Sequence, residues 1–329
     1  MHVIEARNVN DALVKGMAAL AAHGEWTGSR GGRVIRFPGP VTTVYAKPKE
    51  RVLFSPIRDA NPFFHLMEAI WMIAGRNDVA WVARFNNKIA DYSDDGKVFH
   101  GAYGHRWRHH FKTDQLDTVV DVLKRGAIES TRRAVLAMWD PAVDLGRVGR
   151  DLPCNTTVYF SIDRPPMPVL NMTVCCRSND IIWGCFGANA VHFSVLHEYI
   201  AARTAMFVGR YWQISNDFHA YQEVFEKTLP ILHEAAKAPD PYQRGDGALP
   251  RLLEYKMFES PDAWSDDSAG FFEDPEGLAD AYDDFSRPYE RNPFFNRVVI
   301  PMVRAHTVFK RTKDYKKAIV ELGPGIMTN

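Results

Sequence analysis

Cysteine is scarce in this chain: Cys154, Cys175, Cys176 and Cys185 are the only four among 329 residues. None shows C-x-x-C spacing and two are adjacent, which excludes a zinc knuckle, a dithiol redox motif and a disulfide scaffold. A reduced, cytoplasmic protein is the expectation. Net charge is missing too, with 40 Lys+Arg against 40 Asp+Glu. Duplex nucleic acid is bound by neutralising phosphates, so it is not an expected partner, and any anion must be held by a local cluster of arginines. No apolar run approaches the ~20 residues that cross a bilayer. The opening MHVIEARNVNDAL is charged from the start, unlike a secretory leader. Repeats and low-complexity segments are absent. What remains, 46% hydrophobic and 12% aromatic, suffices for a large core.

Periodicity supplies the elements. Asn10 is placed to cap a helix over DALVKGMAALAAHG that stops at Gly24. A glycine- and arginine-rich turn, TGSRGGRVIRFPGP, leads to a strand around VTTVYA. NPFFHLMEAIWMIAG is apolar nearly all round and reads as a buried helix opened by Pro62 and closed by Gly75. DQLDTVVDVLKRG is an amphipathic helix; RRAVLAMW, NTTVYFSI, PVLNMTVCC and VGRYWQIS read as strands. NAVHFSVLHEYIAARTAM reads as a long apolar helix and FHAYQEVFEKTLPILHEAAK as the start of another. Beyond residue 237 the texture turns to PDPYQRGDGALP and an acidic, proline-broken stretch, then a basic solvated helix at VFKRTKDYKKAIVEL. The plan is an α+β domain over 1–237 and a helical extension over 238–329.

Two motifs mislead. DYSDDG has the alternate oxygens of half an EF-hand loop, but Ala102 stands where the bidentate glutamate belongs, so it reads as a turn. Pro153-Cys154 lacks the second cysteine and the H-x-E of zinc deaminases. Cys154 is then either a displayed nucleophile or a small core residue. Glu68, the one acid in the apolar helix, is either a buried proton-transfer group or a carboxylate facing water at a helix end. Arg30, Arg106, Arg132, Arg133 and Arg177 are ordinary surface charges taken singly. The adjacent pair before a strand, however, fits an anion or a partner chain better. CCRSNDIIWG, GANAVHF and SNDFHAY gather Asn, Asp, His and Tyr at element ends, where chemistry concentrates.

In order, SRGG, HLMEAIWMIAG, AYGHRWR, STRRAVLAMWDP, LPCN, RSNDIIWG and DFHAY resemble the thymidylate synthase superfamily over roughly residues 10–235. The resemblance implies an α+β fold whose large twisted mixed sheet packs against the same sheet of a second subunit. It implies Cys154 as the thiolate that adds to C6 of a pyrimidine nucleoside monophosphate, with its pKa lowered by nearby arginines. By the same resemblance Arg30, Arg177 and Ser178 hold the phosphate, joined by Arg132 and Arg133 from the partner of a homodimer. Glu68 organises water and proton transfer, Tyr103 assists loss of the C5 proton, and Asp180 contacts 5,10-methylenetetrahydrofolate. Asn189 reads the base edge, while His219 and Tyr221 hold the sugar hydroxyl.

Departures from the family pattern refine the expectation. Asn155 follows the nucleophile where thymidylate synthases carry histidine, and CNTTVYF and RSND look more like phage deoxycytidylate hydroxymethylases. Ala90 replaces the tryptophan that walls the folate, and no apolar tail of the usual kind closes the site, so water could reach the new methylene. Asn189, an amide that suits either base, points toward uracil. These features together predict a dCMP or CMP hydroxymethylase. The runner-up is a dUMP-acting enzyme, and the alternative of another class is a silent nucleotide- or RNA-binding homologue.

Overall fold

A computed structural model describes residues 1–55, 57–58, 60–126, 131–163, 166–243, 294 and 298–322. A six-stranded mixed sheet runs in the order β1 (His2–Ala6), β4 (Val41–Tyr45), β9 (Phe207–Ser215), β7 (Val169–Cys176), β6 (Asn155–Asp163) and β5 (Val135–Ala137). A smaller sheet orders β2 (Glu25–Ser29), β3 (Gly32–Arg36), β10 (Phe218–Tyr221) and β8 (Asn179–Asp180). This is the expected α+β architecture.

One face of the large sheet is covered by helices α1 (Val9–His23), α2 (Pro62–Ile73), α3 (Gln115–Gly126) and α4 (Asn189–Arg203), with Leu170, Met172, Val174, Phe193 and Met67 at the centre of the core. Pro62 takes the first turn of α2, where its missing N–H costs nothing, and Asn61 caps it by accepting the Phe64 N–H at 3.0 Å. Gly75 ends the segment at φ +77, a conformation that favours glycine. The other face is open in the single chain. Strand register places Val135, Tyr159 and Phe207 together on it, 39%, 47% and 58% exposed.

Several local readings need correction. Asn8, not Asn10, caps α1, because its side chain accepts the Asn10 and Asp11 N–H groups at 3.0 and 3.2 Å. The glycine-rich segment is a hairpin, its arms β2 and β3 joined at Arg30-Gly31. FHAY is a strand that pairs with β3, and the helix begins only at Gln222. The basic C-terminal stretch is two helices, α5 (Ile300–Thr312) and α6 (Tyr315–Val320), broken at Lys313 by a left-handed φ of +56. The acidic segment lies outside the described residues. Beyond residue 237, Val303 and Ile300 join the core, α5 packs on α2, and the Tyr242 hydroxyl accepts the Val52 N–H at 2.9 Å. Among the described residues no helix is long and apolar enough to cross a membrane.

Candidate active site

Cys154 stands where the loop 150–153 enters β6, beside a register shift between Asn155 and Thr157. Irregularities of this kind re-aim side chains at strand ends. Arg177, just past β7, ties the loop down: its backbone N–H donates to the Cys154 carbonyl at 2.9 Å, and its Nε to the Pro153 carbonyl at 2.9 Å. Its guanidinium lies 5.4 Å over the Trp139 ring. Arg30 reaches the same loop from the β2–β3 turn and donates to the Gly149 carbonyl. A Cβ at Gly31 would stand 2.8 Å from the Tyr221 hydroxyl, so glycine is what lets this turn approach β10.

Burial pushes the Cys154 thiol above its ordinary value; Arg177 and Arg30 oppose this, and Asp151 adds to it. The expected lowering is therefore corrected: the two guanidiniums act in the anticipated direction, but loss of solvent outweighs them. The Tyr103 hydroxyl accepts both the Asn155 backbone N–H at 3.2 Å and the Asn155 Nδ2 at 3.0 Å. Burial first, then the neighbouring Cys154 and Cys176, hold this phenol well above its ordinary range.

From Asn155 a row of side-chain amides crosses the site. Asn155 Nδ2 donates to Asn189 Oδ1 at 3.2 Å, Asn189 Nδ2 to Asn179 Oδ1 at 3.1 Å, and Asn179 Nδ2 to Ser215 Oγ at 2.9 Å. All four residues are buried, and Asn189 is held at the start of α4 with both ends of its amide engaged. Asp180 caps the π-helical segment Ile181–Ala188 through Oδ1, while Oδ2 is buried without a hydrogen-bond partner among the described residues. Burial raises its pKa, which backbone N–H groups and His219 oppose. His219, on β10, is hydrogen-bonded through Nδ1 to Asp217 Oδ1 at 2.7 Å. Burial works against its imidazolium, yet Asp217 and Asp180 leave its pKa raised, and Tyr221 packs edge-on at 5.7 Å.

Glu68 lies inside α2 with its side chain 17% exposed, and Oε2 stands 3.0 Å from His192 Nε2 on α4. The reading as a helix-end carboxylate facing water is thereby dropped. Ser178 is partly buried, and its carbonyl accepts the Cys176 thiol at 3.0 Å. Arg132 and Arg133 are exposed in the segment before β5, since the strand begins only at Val135; a single chain does not bring them into this cluster. Arg106 is no anion holder. It is fully buried and forked onto Asp144 at 2.9 and 3.1 Å. Pattern reading missed His192, Asn179 and Asp217 as parts of the cluster, although the segments GANAVHF, RSND and SNDFHAY contain them.

A partly buried thiol, a phenol, a carboxylate, an amide row and two arginines thus meet at one end of both sheets. That set can add a nucleophile to an electrophilic ring, move protons beside it and hold an anion. The chain matches the thymidylate synthase family over residues 44–244. It is 48% identical over 331 residues to the deoxyuridylate hydroxymethyltransferase of Pseudomonas phage M6, covering 98% of this chain and 89% of that protein. The deoxyuridylate hydroxymethyltransferase of Bacillus phage SP01 is 33% identical over 240 residues, 68% and 62% of the two chains. A putative thymidylate synthase of Methanothermobacter marburgensis is 29% identical over 181 residues, 54% and 78%.

The two phage relatives overturn the expectation of a cytidylate substrate. The physical error is visible at Asn155. Its side chain is buried between Tyr103 and Asn189, so replacing histidine there changes the support behind Asn189 and does not by itself select a cytosine amino group.

Proposed function

The chain belongs to the thymidylate synthase family, and from that premise we propose that it hydroxymethylates C5 of deoxyuridylate with the one-carbon unit of 5,10-methylenetetrahydrofolate. The observation that carries this reading is the 48% identity, along 98% of the chain, to a deoxyuridylate hydroxymethyltransferase.

The Cys154 thiol loses its proton and adds to C6 of the base, which makes C5 nucleophilic. Asn189 meets the base edge. His219, oriented by Asp217, and Tyr221 hold the sugar hydroxyl. Arg30, Arg177 and Ser178 hold the phosphate, with Arg132 and Arg133 supplied by a second copy of the chain. The open apolar face bearing Val135, Tyr159 and Phe207 supports that pairing, because exposed patches of this kind mark interaction sites.

The residues present fit the folate. The buried, unbonded Oδ2 of Asp180 is an acceptor suited to the ring N–H donors of a pterin, and Asp180 with Glu68 would hold it. When bound, the cofactor supplies a methylene carbon at the oxidation level of formaldehyde. Tyr103 assists loss of the C5 proton to solvent, Glu68 holds and deprotonates the water whose hydroxyl completes the product, and the Cys154–C6 bond breaks to return the thiolate, tetrahydrofolate being the second product. Ala90, small and partly buried in the turn Asn87–Tyr92, leaves that water room. Of the extension, the described Tyr242 and α5 pack on the catalytic domain.

The test is a mass spectrum of the products after incubation with methylenetetrahydrofolate and equimolar dUMP, UMP, dCMP and CMP. Hydroxymethyl-dUMP is the expected product. A methylated nucleotide, a modified cytidylate or no product overturns the reading.

A further inference from the structure

His192 has no place in the mechanism above, yet it is among the most buried polar groups beside it, with its side chain only 4% exposed. It lies one turn after Asn189 on α4, and residues three apart share a helix face. One turn of α4 therefore presents Asn189 to the amide row and His192 to α2, against which α4 packs. There Nε2 stands 3.0 Å from Glu68 Oε2, within ion-pair distance though not aligned as a hydrogen bond, and among the described residues neither atom has a hydrogen-bond partner. A histidine of this kind is costly to bury unless it serves the one group it meets.

We propose that His192 is the positioning residue for Glu68, fixing Oε2 from behind so that the remainder of the carboxyl group faces the substrate and its water. The inference rests on the role given to Glu68 above. The groups that face this contact are few. His65, also on α2, stands edge-on to His192 with ring centres 6.5 Å apart. Burial, with Arg58 and His192 adding, presses the His65 pKa down to about 3, so that ring is neutral throughout the working pH range. Arg58 reaches His65 Nε2 at 3.2 Å and the Ile182 carbonyl at 2.8 Å. His65 and Arg58 thus close the back of the contact, and among the described residues His192 is the ion-pair partner of the carboxylate. Holding a proton-transfer group by a close polar contact at its non-reacting oxygen removes rotamers in which it faces away from the reacting atoms.

The experiment measures dUMP turnover and dUMP binding in the full-length protein carrying His192→Leu, His192→Asn, His192→Gln, Glu68→Gln and the double variant Glu68→Gln/His192→Leu. Leu removes the donor, Asn keeps one too short to reach Oε2, and Gln places an amide near the position of Nε2. Leu and Asn are expected to lower kcat about ten- to a hundredfold, with the dUMP dissociation constant little changed. Gln should return turnover close to the parent. The double variant should be no slower than Glu68→Gln alone, the mark of residues acting as one unit. Parent-like turnover in Leu and Asn, or strictly multiplicative losses in the double variant, overturns the inference while leaving Glu68 in its role. Where Leu does not fold, the Asn and Gln pair decides. Parent-like turnover in Glu68→Gln instead removes the role of Glu68 itself.

Discussion

Replacing Asp144 by asparagine should destabilise the protein by about 3–5 kcal/mol, because it strands a buried arginine charge. Arg106 and Asp144 are both within 1% of complete burial, and the guanidinium meets the two carboxylate oxygens at 2.9 and 3.1 Å. Arg106 also donates from Nε and Nη2 to the His100 carbonyl at 3.2 and 3.0 Å, and His100 Nε2 lies 2.7 Å from Asp144. The pair therefore clamps the segment that leads into Tyr103. For a chain of 329 residues the unfolding entropy near Tm is about 0.7 kcal/mol/K, so the loss corresponds to roughly 4–7 °C in Tm. Differential scanning calorimetry at neutral pH measures it. The double variant Arg106→Met/Asp144→Leu should recover part of the loss, since it removes the stranded charge along with its partner. The sign with pH also follows. Burial opposes the ionised carboxyl, but the Asp140 N–H, His100 and Arg106 more than offset it, so the folded pKa lies below the unfolded one. The contribution is complete above the ordinary carboxylate value near 4 and fades as pH falls through the depressed folded pKa. A single variant that melts within 1 °C of the parent, or a double variant less stable than Asp144→Asn, would refute the reasoning.

Because burial outweighs Arg177 and Arg30 at Cys154, alkylation of that thiol by iodoacetamide, followed by peptide mass spectrometry, should have an apparent pKa above the ordinary ~8.5. Faster reaction than free cysteine at pH 7 would contradict this. Gly31→Ala places a Cβ 2.8 Å from the Tyr221 hydroxyl; it should raise the KM for dUMP several-fold while a scan of Tm moves little, and an unchanged KM would separate the turn from the nucleotide. Asn189→Asp sets a carboxylate against the Asn179 carbonyl oxygen, an acceptor facing an acceptor. Its kcat/KM for dUMP should fall by roughly ten- to a hundredfold, equivalent to about 1–3 kcal/mol, and full retention would remove Asn189 from the base pocket.

The elements were most legible where one physical signal dominated. α2 announced itself through Pro62, Gly75 and an apolar surface, and β6 and β7 through β-branched alternation. The hairpin around Arg30 was hidden because its strands are mostly exposed and glycine-rich, so no alternation marks them. FHAY was lost to the helical periodicity of the residues after it. Within the candidate site, residues at element ends could be named from motifs, but their contacts could not. Nothing local in the sequence says that His192 meets Glu68 across two helices, or that Arg106 is spent on Asp144 instead of an anion. The error over the base had the same origin: Asn155 was read by its neighbour in sequence, Cys154, when its chemistry is decided by Asn189, distant in sequence and adjacent in space.

The amide row from Asn155 through Asn189 and Asn179 to Ser215 is directional, each side chain handing an N–H to the oxygen ahead of it. Asn189 cannot turn over alone without setting donor against donor at Asn155 and acceptor against acceptor at Asn179. Under the proposed reading, the edge shown to the pyrimidine is then a collective property with an orientation, like a line of gears whose end wheels rest on the hydroxyls of Tyr103 and Ser215. Descendants of such a protein would not drift gradually from one base to the other. They would change base by replacing an amide with a residue of single polarity, or by reversing the row in concert, and intermediates carrying one flipped amide would be purged for instability before selection could judge their activity.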